Sequence, residues 1–107
     1  MARVVAVAPD LLLGSRIEGM LSAAGHDATL SSSLADASLD EVELLVADLD
    51  EESPEALVGV GIPVLGYYSH VNAETRRLAE AAGVDLVVPR SKVVRELPQL
   101  VERLLSD

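Results

Sequence analysis

Four acidic residues, Asp48, Asp50, Glu51 and Glu52, follow directly on the apolar run Leu44–Ala47. A carboxylate delivered to the end of a buried run is a potential nucleophile, or a ligand for a hard cation, because Mg²⁺ and Ca²⁺ favour oxygen donors. Asp10 closes the apolar run Val4–Ala8 in the same way, and Tyr68 and Arg90 stand at the ends of two more. Other chemistry is poorly served. The absence of cysteine removes thiol nucleophiles, disulfides and Cys-ligated zinc together. His26 and His70 have no partner at the spacing of a metal site or a triad, and they read as solvated loop residues. Gly14 and Gly19 lie inside a helical pattern, while the turn Ala8-Pro9-Asp10 contains no glycine, so nothing cradles a phosphate and nucleotide or flavin binding is disfavoured. Without a nucleophile–base pair, a metal cluster or a phosphate loop, an independent enzyme has almost nothing to work with. The plain alternative for the run from Asp48 to Glu52 is a solvated acidic face.

The elements that must hold these residues follow from changes in hydrophobic period. Val4–Ala8, Leu44–Ala47, Ile62–Tyr68 and Leu86–Val88 are short apolar runs that read as buried strands, with Asp27–Leu30 as a brief further one. Leu13, Ile17, Met20, Leu21 and Ala24 recur at helical spacing, and Gly25 follows as a stop. Ser31-Ser32-Ser33 offers caps for a short helix through Leu34, Ala35 and Ala37. Ser53-Pro54-Glu55 reads as the cap and first turn of another through Ala56, Leu57 and Val58, stopped at Gly59 or Gly61. Asn72 is placed to cap a helix over 73–82 that Gly83 ends. Leu97, Leu100, Val101, Leu104 and Leu105 then form the stripe of a closing helix, with Pro98 in or before its first turn. Strands alternating with helices demand right-handed crossovers and a parallel sheet covered on both faces. Ligands of such sheets gather beyond the carboxyl ends of the strands, where Asp10, Asp48, Tyr68 and Arg90 stand.

The 107 residues fit one domain, 1–107. Half are hydrophobic, with no Phe or Trp and two Tyr, so the core must be aliphatic, as suits parallel strands under helices. Eight basic against eighteen acidic residues give a net charge of −10, which repels phosphate backbones and anionic lipid. Direct binding to nucleic acid or membrane is therefore not expected. No uninterrupted apolar run approaches the roughly 18 residues of a membrane span, and the N-terminus lacks the residue order of a secretion signal. The expectation is a soluble, cytoplasmic protein.

The five-fold β/α order, Ala23-Ala24-Gly25-His26, Glu43-Leu44-Leu45-Val46-Ala47-Asp48-Leu49 and Ala81-Ala82-Gly83-Val84-Asp85 together resemble a response-regulator receiver domain over essentially the whole chain. The resemblance implies a flavodoxin-like (CheY-like) three-layer α/β/α sandwich with a five-stranded parallel sheet in strand order 2-1-3-4-5. The middle helices read as shortened, since about eight residues are missing between Gly25 and Asp48 by usual element lengths, and more between Asp48 and Pro63. The resemblance puts Asp48 at the phosphoacceptor position, Tyr68 at the hydroxyl switch position and Arg90 at the position of a lysine. The acidic pair that holds Mg²⁺ in receivers falls on Ala8 and Pro9, with Asp10 on the next residue. Mg²⁺ binding is accordingly expected to be weak or absent, with Asp10, Asp48 and Asp50 as its remaining ligands.

Tyr68 is too long to follow a phosphoryl group as a threonine does, and its plain alternative is an amphipathic residue at the core edge. Arg90 is able to form a bidentate pair with Asp48, or to be an ordinary surface arginine. The function implied is an atypical receiver, or pseudo-receiver, serving as a protein-interaction module in bacterial signal transduction, phosphorylation-independent or only weakly phosphorylatable. Its partner would be a histidine kinase, a regulatory protein or a second copy, met through the fourth helix, fifth strand and fifth helix. The alternative is a conventional receiver phosphorylated on Asp48 by a histidine kinase with Mg²⁺. A more remote reading is a ligand-binding flavodoxin-like domain, since fold alone does not fix function.

Overall fold

A computed structural model describes residues 2–69 and 73–106. The chain runs β1 (Arg3–Val7), α1 (Leu11–Ala23), β2 (Asp27–Ser31), β3 (Leu44–Asp48), α2 (Pro54–Val58), β4 (Val64–Tyr68), α3 (Ala73–Ala82), β5 (Leu86–Pro89) and α4 (Arg90–Leu105). All strand pairs are parallel, in the order β2-β1-β3-β4-β5. The order reverses beside β1, so the carboxyl ends of β1 and β3 flank the topological switch point. β3 and β4 are buried along their whole length, as continuous apolar runs in a covered parallel sheet must be.

Alternation along the strands divides the core. Val4, Ala6, Leu44, Val46, Leu65 and Tyr67 face α1 and α4 and pack with Leu13, Ile17, Leu97 and Val101. Val5, Val7, Leu45, Ala47, Val64 and Tyr68 face the other way, where Leu57 of α2 and Ala79 of α3 meet them. Asp10 opens α1 as its N-cap, and Ser53 caps α2 by accepting the Ala56 N–H. α1 ends at Gly25, whose φ of 92° is open to glycine. The His26 N–H there bonds the Leu21 carbonyl and the Gly25 N–H the Ser22 carbonyl, which satisfies carbonyls that the helix end would otherwise leave bare. α3 stops in the same way at Gly83.

Two expectations change. The short helix through Leu34, Ala35 and Ala37 does not form; these residues make a turn inside the loop from β2 to β3. Ser33 Oγ does accept the Asp36 N–H, but only the Ala37 N–H to Leu34 carbonyl bond follows it. One turn bears the entropy of nucleation without the bonds of propagation, so it stays a turn. Leu34, Ala37 and Leu39 still cover that face of the sheet. At the other end of the chain, α4 begins at Arg90, well before Leu97. It is kinked at Glu96 (φ −131°, ψ 16°), and the helix resumes with Pro98 in its first turn, where a missing N–H costs nothing. The expected cap Asn72 and the loop residue His70 lie outside the described residues. Among the described residues, no helix is long and apolar enough to cross a membrane.

Candidate functional site

Asp48 is the last residue of β3 and is only 8% exposed. The chain then turns back over it: the Asp50 N–H donates to Asp48 Oδ1 at 2.8 Å, and the Glu52 N–H to its carbonyl at 3.0 Å. Asp50 in turn accepts the Ser69 N–H at 2.8 Å, tying the acidic loop to the end of β4. Leu49 lies flat on Gly66 of β4, where a Cβ would come within 2.7 Å of its side chain, so a bare backbone at that position seats the loop. Burial pushes the Asp48 carboxyl above its ordinary range. The Asp50 N–H opposes this, the charges of Asp50 and Glu51 add to it, and Arg90 weakly counters it.

Asp10 and Arg90 pair with each other, with Arg90 Nη2 3.0 Å from Asp10 Oδ2. The sequence allowed Arg90 a bidentate pair with Asp48 or an ordinary surface position, and the pair it makes is with Asp10. The cap orients Asp10 for this pair: Oδ1 accepts the N–H groups of Leu12 (3.0 Å) and Leu13 (3.3 Å) at the start of α1, and Oδ2 meets Arg90. The Leu13 N–H above all, then Arg90 and the Leu12 N–H, hold this carboxyl below its usual range against the opposing effect of partial burial.

The β3–β4 register sets Tyr67, not Tyr68, opposite Asp48. Tyr67 is wholly buried, and its hydroxyl has no hydrogen-bond partner among the described residues. Burial raises its pKa, the charges of Asp48, Asp10 and Asp50 add to the effect, and Arg90 opposes it. The phenol therefore lies within the field of the same cluster. Tyr68 points to the opposite face and packs in the α2/α3 layer, as an edge-of-core residue does. His26 sits at the other end of the sheet, where its Nδ1 accepts the Ala2 N–H at 3.2 Å.

Asp10, Asp48, Asp50 and Arg90 are thus brought to one edge of the fold and Tyr68 is turned away. The carboxylates are not poised as a magnesium shell. Ala8 and Pro9 offer no side-chain oxygen, Asp10 is held by Arg90 and two amides, and among the described residues no three acidic or histidine groups converge as metal ligands. The residues present do not fit the cation. Two features escaped the sequence reading. The capping role of Asp10 was signalled by its place just before the apolar helix period. The role of Tyr67 had no local signal, because it depends on inter-strand register.

No family model matches the sequence, and neither does any curated protein. Solved structures do. An orphan response regulator of H. pylori is 22% identical and superposes with a TM-score of 0.82 over 97% of this chain and 96% of that one. An atypical orphan response regulator, described with a phosphorylation-independent regulatory mechanism, is 22% identical with a TM-score of 0.83 over 97% and 95%. The chemotaxis protein CheY4 of Vibrio cholerae is 18% identical with a TM-score of 0.82 over 98% and 99%. With its parallel sheet in order 2-1-3-4-5 and its likeness to these structures along the whole chain, the protein has the CheY-like fold of response-regulator receivers.

Proposed function

We propose that this protein is a pseudo-receiver, a cytoplasmic protein-interaction module of bacterial signal transduction that works without aspartyl phosphorylation. The observation that carries the reading is the Arg90–Asp10 pair, which spends the cluster's cation and the acid nearest the metal position on each other. Phosphoryl transfer to a carboxylate needs a divalent cation to offset the charge that builds up, and Ala8 and Pro9 supply nothing to hold one. The buried Asp48 also resists carrying charge, and with it nucleophilicity. The phosphorylation-independent mechanism described for one structural neighbour supports the same view. The partner is a regulatory protein or a second copy, met on the face of α3, β5 and α4, where Leu78 is 48% exposed.

One observation favours the second reading, a conventional receiver phosphorylated on Asp48 by a histidine kinase with Mg²⁺: Asp48 stands at the carboxyl end of β3 beside the topological switch point, where such sheets bind their ligands. Intact mass after incubation with acetyl phosphate, with and without Mg²⁺, decides between them on the native chain and on Asp48→Asn. The expected result is no mass gain in any arm. A magnesium-dependent gain of one phosphoryl group that vanishes in Asp48→Asn would establish the second reading.

A further inference from the structure

The connection from β2 to β3 passes over β1, and a parallel crossover of this kind usually carries a helix. Here residues 32–41 make the passage as irregular chain. Leu34, Ala37 and Leu39 lie half-buried on a sheet face that includes Val5, Val7, Leu45 and Ala47, all of them buried. Little of the backbone holds the segment there. Among the described residues its backbone bonds are local, from the Ala37 N–H to the Leu34 carbonyl and from the Val42 N–H to the Leu39 carbonyl. Side chains from outside do the rest. Ser31 Oγ donates to the Ser33 carbonyl at 2.8 Å, Glu52 Oε2 accepts the Leu34 N–H at 3.1 Å in a partly buried setting, and the exposed Arg3 Nη1 reaches the Asp40 carbonyl at 3.5 Å. Glu41 then has a φ of 59°, a left-handed conformation that a residue with a Cβ adopts at a cost. Past it the chain is anchored again, since Val42 is buried and the Glu43 N–H bonds the Arg3 carbonyl.

We propose that residues 32–41 form a latched strap, which lifts from the sheet as one unit ahead of the rest of the fold and bares the apolar face over β1 and β3. Glu52 is its latch and Glu41 its hinge. A segment with few backbone bonds and only half-buried apolar contacts opens at a fraction of the cost of global unfolding. What it uncovers is far from neutral. Lifting takes the carboxylates of Asp36 and Asp40 off a floor of valine, leucine and alanine, so an acidic surface becomes an apolar one in a single step. The latch side chain matters most in the closed state, because a hydrogen bond to a carboxylate is stronger than one to a neutral acceptor and this one is partly buried. Arg3 contributes less, since its contacts are exposed. Glu52 also connects the strap to the acidic loop, where its own N–H bonds the Asp48 carbonyl.

Native-state hydrogen exchange of the full chain at low urea tests this. The amides of Ala37 and Val42, neither bonded to Glu52, should exchange through one shared, urea-dependent opening, about a hundredfold or more faster than the sheet amide of Leu45. Glu52→Ala should speed both about tenfold, leave Leu45 unchanged and raise the binding of a hydrophobic dye. Glu52→Gln, whose amide oxygen still accepts the Leu34 N–H, should restore most of the protection. Glu41→Asn, better suited to a left-handed backbone, should slow both amides about threefold. Exchange of Ala37 and Val42 at unrelated rates, or without urea dependence, would mean fraying in place of a strap and overturn the proposal. So would equal acceleration of Leu45 in Glu52→Ala, which would merge the segment with the global fold. Unchanged rates in Glu52→Ala or Glu41→Asn, or equal rates in Glu52→Gln and Glu52→Ala, would remove the latch or the hinge and the device with it. No phosphodonor is present in any arm, so failure here is separate from failure of the pseudo-receiver reading.

Discussion

Each end of the sheet gathers an arginine among carboxylates, and the two gatherings differ in water. At the amino end Arg3 lies 3.5 Å from Asp27 and 3.7 Å from Glu41, and its N–H donates to Glu43 Oε2 at 3.0 Å. These side chains are exposed around an open depression of about 390 Å³ that also touches His26. The carboxyl end pairs Arg90 with Asp10 over a nearly buried Asp48 and a wholly buried phenol. Charge density and hollow shape alone would point to the amino end. Desolvation points to the carboxyl end, since a buried carboxylate and an unpaired hydroxyl are costly features that a stable core would not keep for its own sake.

The comparison breaks first at Tyr67. Tyr67→Phe should raise stability by about 1–3 kcal/mol in urea denaturation, the cost of a buried hydroxyl without a partner. A loss instead would place an ordered water between the phenol and its neighbours and make this end wetter than it looks. Asp48→Asn should stabilise less, by about 1 kcal/mol near neutral pH, because the amide keeps an oxygen for the Asp50 N–H and sheds a charge that burial opposes, partly screened by solvent at the strand end.

The sign of its pH dependence follows from a folded pKa raised above the unfolded one. The native chain is favoured when Asp48 is protonated and loses that favour as pH rises through the folded value. The gain from asparagine should therefore be full above that value and fade as pH falls toward the ordinary carboxylate range, in melts run from pH 7 downward. Arg3→Gln at the other end should cost no more than about 0.5 kcal/mol, and that cost should vanish in high salt, as for exposed pairs. A larger, salt-resistant loss would show that the amino end is also a desolvated site.

Most of the scaffold was legible from the order of residues, because strands, helices and caps answer to neighbours a few positions away. The runs Val4–Ala8 and Leu44–Ala47, the stripe Leu13, Ile17, Leu21, and the stops Gly25 and Gly83 carry their own instructions. The alternation of strands and helices then restricts the topology to a covered parallel sheet. The site was legible only in outline. Asp48 could be placed by the run that precedes it, whereas the pairing of Arg90 with Asp10 joins residues 80 positions apart. The setting of Tyr67 opposite Asp48 depends on strand register, where a slip of one residue would have presented Tyr68 instead. The helix expected at 34–37 failed for a local reason, since a single turn does not offset its nucleation, and the side chains of the irregular loop cover the sheet there. Local periodicity decides which elements exist, and packing decides which side chains of distant elements lose their water together.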